Sequence, residues 1–515
     1  MNLTSYAVRF TLYVLRFTPR LALRPWARML ALGALSLLVY SAGLLAPYNL
    51  FALRLKPLQD VARLTRGQPL AQAGFVLTLA VLSGLYYLQW RLCRPADPPR
   101  GERETRAMWL ALLAGLAAVN LALLWLYPIG AADLFDNIMR GRIAAVYGGN
   151  PFYNIPSDYA GDPFYRYIAW RYSPSAYGPL WELLAAGTSR LAGVVRLRSP
   201  QDDILANILA FKLLGLLFYG GCLALIAGIL NRAAPERALA GVCLFAWNPL
   251  VIYETAGNGH NDIVMAFFIL LGMYALLRQR YAFAALALTA GALVKFISIL
   301  LVPIVLAVAW RALPKWKPRL SGVAAALFAC VGLGLLLYAP FWRGGDPLSL
   351  QRRETLFTTS LPAMIETQLE APLGRAMSQR LVARLALLAT GLAVVLQTLR
   401  AWREADWLSP IRAGARLLLF YLLFTCLWFQ SWYALWPLAL AALLPEGALG
   451  RAIVLLSYSA VWKTIFFNFV LFPGPRLPPR VQREAILAPA TLGLTWVYAG
   501  YAYLRAQLCK VKAHV

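Results

Sequence analysis

The chain has 515 residues, of which 60% are hydrophobic and only 14% are charged. Soluble domains carry about 25% charged residues, so the composition excludes an ordinary soluble protein and predicts an all-α polytopic membrane protein. The formal net charge of +27 would suggest nucleic-acid binding in a soluble protein. Because no nucleic-acid-binding motif is present, we attribute the charge to Lys and Arg that face anionic membrane lipids, and we expect no nucleic-acid partner.

The six Cys have no CxxC spacing, and the chain contains only two His. This scarcity argues against a structural zinc site, which needs four such ligands. Carboxylates can still hold Mg²⁺ or Mn²⁺. A divalent metal therefore stays an open alternative, with metal-independent chemistry slightly preferred and no cofactor required.

The first 28 residues are basic and lack the apolar core of a cleavable signal. They predict a helix lying on the cytoplasmic membrane surface, and a solvated basic leader fits equally well. About fourteen runs follow that are candidates to cross the bilayer, three of them short. In chain order these runs lie near residues 29–50, 71–92, 107–128, 205–230, 238–254, 261–277, 281–295, 297–310, 320–341, 380–400, 413–429, 433–446, 452–472 and 487–505.

Basic loops predict the orientation, because Lys and Arg are retained on the cytoplasmic side. The link 91–106 carries five Arg and is predicted to be cytoplasmic, so the run 107–128 delivers the following loop to the outer face. The same rule favours a shallow or re-entrant piece at 179–197, which is interrupted by charged residues. The basic loop 51–70 is an exception to the pattern.

The loop at 129–178 is the most polar stretch of the chain, with four Asp, four Arg and many Tyr, Pro and Gly. Such backbone cannot face hydrocarbon, so we expect it to build a site in water or at the membrane surface. Asp133 directly follows the predicted helix and is the candidate general base for a hydroxyl nucleophile, although a capping role also fits. Asp136 lies one helical turn on and is a secondary catalytic or metal candidate, or a solvated neighbour.

Further candidates follow in the same loop. Arg140 and Arg142, in the sequence MRGR, can grip a phosphate, or can pair with nearby carboxylates or lipid headgroups. Asn150 in GGNPF either caps a turn or contacts a sugar, and Tyr177 in YGPLW offers an aromatic platform or a membrane anchor.

Later stretches add a second group of candidates. Lys295, in LVKF between two apolar runs, needs an anion, and a lipid phosphate is a natural partner. Arg352 and Arg353 can serve the same phosphate from the loop 342–379. Candidate sugar or acceptor ligands, each with a structural alternative, are His260, Asn261 and Asp262 of GNGHND and Trp432 and Tyr433 of SWYALW.

These motifs together resemble a known family. Asp133 eight residues before the Gly of a GR pair, then GGNP, YGPLW, NPLVIYETAGNGHND, LVKF and SWYALW, are similar to the polyprenyl-phosphate-mannose-dependent mannosyltransferases of actinobacterial lipoglycan synthesis, within the GT-C superfamily. The resemblance covers roughly residues 107–437. Phe152 stands where the family usually has Tyr.

The resemblance implies a GT-C fold in a bacterial plasma membrane. It implies a polyprenyl-phosphate sugar donor that enters from the lipid, a glycan or glycolipid acceptor, and transfer on the extracytoplasmic face with Asp133 as base. The corresponding division is 1–106 for the surface helix and two accessory spans, 107–341 for the catalytic core with its outer loop 129–178, and 342–515 for the C-terminal spans with the outer loop 342–379.

The candidate residues suit this chemistry. A carboxylate activates the acceptor hydroxyl, cations stabilise the departing polyprenyl phosphate, and a single displacement inverts the anomeric centre. A transporter or flippase of a lipid-linked sugar is the alternative from another class. Within the enzyme class, a GT-C transferase of a different sugar also fits.

Overall fold

The computed structural model describes residues 24–57, 59–97, 99–194, 200–313, 315–344, 356–404, 406–471 and 479–513. These residues form helices, turns and two isolated bridges, Asn49 with Leu126 and Thr358 with Trp428, and contain no strand. The predicted all-α membrane class is confirmed at this level. The predicted N-terminal surface helix lies almost entirely outside the described residues.

The described residues contain twenty α-helices, which we label α1 to α20. They are α1 Pro25–Tyr40, α2 Leu50–Leu53, α3 Val61–Thr65, α4 Pro69–Cys93, α5 Glu102–Leu123, α6 Asp133–Ala145, α7 Pro179–Val194, α8 Pro200–Ala233, α9 Ala238–Ala246, α10 Pro249–Ile252, α11 Asp262–Leu277, α12 Tyr281–Ala292, α13 Val302–Ala312, α14 Trp316–Tyr338, α15 Leu361–Leu373, α16 Arg375–Arg403, α17 Ser409–Phe420, α18 Leu435–Ala441, α19 Ala448–Ile465 and α20 Arg480–Ala513.

Seven helical segments of the described chain are long and apolar enough to cross a membrane. They are Pro25–Leu45, Pro69–Cys93, Glu102–Leu123, Asp203–Ala233, Trp316–Phe341, Arg375–Arg403 and Arg480–Cys509. An eighth is formed if the pair Pro235–Ala246 and Pro249–Gly257, bent by 53°, counts as one broken span. The predicted number of about fourteen is not confirmed.

Fewer helices are long enough to cross the membrane than the sequence predicts, because several apolar runs are broken into short pieces. The run near 433–446 forms a 3₁₀ turn, Ser431–Ala434, and the seven-residue α18. At about 1.5 Å per residue, seven residues cover roughly a third of a 30 Å hydrocarbon core. Hydropathy reports how apolar a run is and does not report whether its helix is continuous.

The helix α11 packs against the long helix α8 and against the shorter helices α12 and α18. Eleven of the sixteen residues of α11 are buried, as expected for a helix that is apolar on every side. One buried apolar cluster runs from Met29 to Leu492. The predicted division of the chain at 106 and 341 stays a prediction.

Candidate active site

Asp133 is the first residue of α6, the helix that opens the predicted outer loop. A carboxylate in a first helical turn interacts favourably with the partial positive charge of the helix N-terminus. The Asp133 side chain is 21% exposed, whereas residues 134–143 are all buried. Of the two acidic side chains of α6, Asp133 is therefore the one that an incoming molecule can reach.

Lys212 holds the end of the helix that leads to Asp133. This residue of α8 is fully buried, and its Nζ donates to the carbonyls of Leu123 and Leu124, 3.2 and 3.3 Å away, and to that of Leu126. The last carbonyls of a helix have no partner within it, so a cation stabilises them. Lys212 was not among the predicted site residues, although a lone Lys inside an apolar run was a signal for it.

His260 lies between two carboxylates. Its Nε2 is 3.9 Å from Oδ2 of Asp133, and its Nδ1 is 3.0 Å from Oε2 of Glu254. The imidazole stacks on the indole of Trp432, with ring centroids 3.8 Å apart. Burial by itself lowers the pKa of His260. The negative charges of Glu254 and, to a smaller extent, of Asp133 outweigh the effect of burial and raise that pKa above its ordinary value. A protonated His260 therefore places a positive charge beside the Asp133 carboxylate.

Glu254 is a buried carboxylate that the sequence analysis did not propose as a site residue. Its oxygens accept hydrogen bonds from Oγ of Ser431 at 2.7 Å and Nδ2 of Asn258 at 2.9 Å. Asn258 Oδ1 in turn accepts from the backbone N–H of Gly130, shortly before Asp133. Glu254 thus links the GNGHND turn to two other stretches. The sequence feature that could have identified it is an acidic residue inside an apolar run.

Lys295 pairs with Asp262, whose Oδ2 is 2.5 Å from its Nζ. The other oxygen of Asp262 accepts from Nε1 of Trp436 at 2.8 Å. The ammonium also lies 5.3 Å from the ring centroid of Tyr177 and 5.5 Å from that of Tyr433, within the range of cation–π attraction. Asp262 is fully buried, while the Lys295 side chain is 12% exposed. The anion that Lys295 requires is thus supplied within the protein.

Gly178 allows the YGPLW stretch to approach the backbone that carries Lys295. Its N–H donates to the carbonyl of Val294 at 3.0 Å, and Leu180 N–H donates to that of Leu293 at the same distance. A Cβ at Gly178 would overlap the carbonyl group of Leu293. The contact holds Tyr177 beside the ammonium.

We expect Gly178→Ala to destabilise the protein by about 1–3 kcal/mol, because the new methyl group forces the two backbones apart. Thermal denaturation in detergent should show a lower midpoint. Gly187→Ala is the matched control, since Gly187 lies in α7, the helix that directly follows Gly178, with open space around it. Equal midpoints for the two variants would contradict the close approach.

Asn261 is buried, and neither its Nδ2 nor its Oδ1 has a hydrogen-bond partner within the described part of the chain. Buried polar groups are almost always satisfied, so such a side chain needs an explanation. Its position between His260 and Asp262 makes it a candidate to bind a hydroxyl group of a ligand.

Two other candidates fix the backbone of the loop. Both oxygens of Asp136 accept backbone N–H bonds, from Ala169 at 3.2 Å and Trp170 at 3.0 Å. Burial raises the pKa of Asp136 to about 6, opposed by the nearby Arg140. Arg140 itself donates to the carbonyl of Ser173 at 3.1 Å. These contacts order the loop around α6.

Arg142 and Asn150 are also engaged by the protein. The guanidinium of Arg142 pairs with Asp162 at 2.8 Å and with Asp203 at 2.9 Å. Asn150 Nδ2 donates to the carbonyl of Phe341 at 2.6 Å, and Asn150 caps its own turn. Their proposed roles toward a ligand stay predictions.

The structure brings a large part of the predicted site together. The side chains that contact one another in this group are Asp133, Tyr177, Glu254, His260, Asp262, Lys295, Trp432, Tyr433 and Trp436. Arg352 and Arg353 lie outside the described residues. Within the described chain, no cluster of three or more His, Cys, Asp or Glu is arranged to hold a metal ion. A metal requirement stays untested.

Residues 31–311 match the family model described as alpha-(1->6)-mannopyranosyltransferase, N-terminal domain. The chain is also 26% identical over 201 residues to alpha-(1->6)-mannopyranosyltransferase B of Corynebacterium glutamicum. That alignment covers 37% of this chain and 31% of the relative, so the chain matches about a third of the relative's length.

The matched family region contains Asp133, Glu254, His260, Asp262 and Lys295, and it spans more than half of the chain. The resemblance predicted from the motifs is therefore confirmed at the level of the family. The chain belongs to the alpha-(1->6)-mannopyranosyltransferase family.

Proposed function

We propose that the protein transfers a mannosyl unit from a polyprenyl-phosphate donor to a glycan or glycolipid acceptor on the extracytoplasmic face of the plasma membrane. The observation that carries the proposal is a reachable carboxylate, Asp133, beside a buried group of aromatic and ionised side chains in a chain of this family. The GT-C fold, with the shorter helices completing a larger set of spans, is part of the same proposal.

Asp133 acts as the general base. It accepts the proton of an acceptor hydroxyl, whose oxygen then attacks the anomeric carbon of the donor, and the bond from that carbon to the phosphate oxygen breaks. Because the family is named for α-(1→6) linkages, the acceptor group is the 6-hydroxyl of a sugar in the acceptor. A single displacement inverts the anomeric centre, so an α product requires a β-linked donor.

His260 and Glu254 support the base. The 3.0 Å contact between them favours a protonated imidazole, and the positive charge of that imidazole lies 3.9 Å from Asp133. The charge attracts the carboxylate of Asp133. Trp432, stacked on His260, offers an apolar surface on which a sugar can lie.

Lys295 binds the leaving phosphate. Its ammonium has three N–H donors, of which one is used by Asp262. The Lys295 side chain keeps 12% exposure, and we assign its remaining donors to the phosphate. Because Asp262 neutralises part of that charge, a second cation is needed, and Arg140 or the arginines at 352 and 353 are the candidates.

The direct test is transfer by the purified chain in detergent. We expect a labelled β-linked polyprenyl-phosphate mannose to give an α-(1→6) product on an oligomannoside acceptor, identified by linkage analysis. A nucleotide-activated mannose should give no product. Transfer from the nucleotide sugar alone would overturn the proposal, as would movement of the intact lipid-linked sugar across a vesicle membrane without transfer.

A further inference from the structure

A cavity of about 850 Å³ lies between α4, α9 and α19, within the roughly 300–1,000 Å³ typical of ligand sites. It is far from the candidate active site. Lys463 of α19 lies near the candidate site, since it donates to Gln430 beside Trp432. Arg451, which lines the cavity, is twelve residues earlier in the same helix, or about 18 Å along it. No residue of the group around Asp133 lines it.

The walls of the cavity are apolar and its rim is basic. Aromatic and aliphatic side chains, among them Tyr86, Trp90, Leu244, Val454 and Leu455, line its depth. The more exposed part of the lining, which we call the rim, contains three arginines and one carboxylate, namely Arg94, Arg237, Arg451 and Glu446.

The carboxylate forms a close ion pair with only one of these cations. Arg94 Nη2 donates to Glu446 Oε2 at 2.6 Å. Arg237 donates to the carbonyl of Leu443 at 3.0 Å, and Arg451 to that of Gly447 at 3.4 Å. Neither of these two arginines pairs with a carboxylate in the described part of the chain, so the rim keeps a net positive charge.

We propose that this cavity binds an anionic phospholipid, with the phosphate between Arg237 and Arg451 and an acyl chain along the apolar walls. Guanidinium groups bind phosphate through paired N–H donors, and basic pockets between membrane helices select anionic headgroups. A free anion would leave the aromatic walls uncovered, which is why a lipid fits better. The basic loops predict that this rim faces the cytoplasmic leaflet. The proposal is independent of the sugar-transfer chemistry.

The test uses the full chain in nanodiscs of phosphatidylcholine with or without phosphatidylglycerol, and native mass spectrometry counts the phosphatidylglycerol that stays bound. We expect Arg237→Gln/Arg451→Gln to lower retention about tenfold. Arg232→Gln/Arg278→Gln is the control with the same charge change, because neither residue lines the cavity. Unchanged retention in the first double variant, or an equal loss in the control, would overturn the proposal.

A second variant separates a lipid from a free anion. Leu455→Trp fills the apolar part of the cavity and keeps all three arginines, so it should also lower retention while leaving the headgroup site charged. Inorganic phosphate should not displace the lipid. Two results together would show that the cavity is a phosphate site and that the lipid proposal fails. These are displacement of the lipid by inorganic phosphate, and retention of phosphatidylglycerol by Leu455→Trp that equals the retention by the unaltered chain.

Discussion

Asp133→Asn is expected to lower kcat for mannosyl transfer by about 10²–10⁴-fold, the contribution of a positioned general base. The amide has nearly the shape of the carboxylate but does not accept a proton at neutral pH. Because His260 keeps its contacts to Glu254 and Trp432, the donor site should remain formed. Turnover with a labelled lipid donor, measured together with donor affinity, should show a loss of rate at almost constant binding.

Asp158→Asn is the matched control for this prediction. Asp158 lies in the same loop, in the 3₁₀ turn Pro156–Tyr159, and its carboxylate accepts the N–H of Ile155 at 3.0 Å. The same charge change there should leave turnover close to that of the unaltered protein. If Asp133→Asn transfers mannose at the rate of Asp158→Asn, Asp133 is not the base.

The grouping of the site was predictable from the sequence because polar side chains at membrane depth are costly unless they satisfy one another. Asp133, Tyr177, His260, Lys295 and Trp432 come from five separate stretches, and each was noticeable as a polar or aromatic residue beside an apolar run. Their contacts in the structure follow from that cost. The all-helical class was predictable for a related reason, since only helices satisfy the backbone of such apolar runs.

The partners of each ionised group were not predictable, because pairing depends on packing between distant segments. The sequence suggested a lipid phosphate as the anion for Lys295, whereas the structure places Asp262 against it. Arg142 is engaged by Asp162 and Asp203, and the second of these lies in α8, outside the loop. The breaks within several apolar runs were not predictable for the same reason, because a bend in a helix depends on the segments packed against it.

Lys295→Met is expected to destabilise the protein by about 3–5 kcal/mol, because it leaves the buried carboxylate of Asp262 without its cation. The midpoint of thermal denaturation should fall markedly, and transfer should be lost. Lys315→Met, in an exposed position just before α14, removes the same charge and should change neither quantity. This single variant alone does not distinguish a structural Lys295 from one that binds phosphate.

The double variant Lys295→Met/Asp262→Asn makes that distinction. It removes the unpaired charge while the amide oxygen still accepts from Trp436, so most of the lost stability should return. If Lys295 stabilises the departing phosphate, transfer should stay lower by about 10²–10³-fold, the usual effect of removing one donor to a developing anion. Return of transfer together with stability would contradict the phosphate role. In that case the ion pair only holds α11 against the Lys295 backbone, and the leaving group must depend on the arginines of the outer loops.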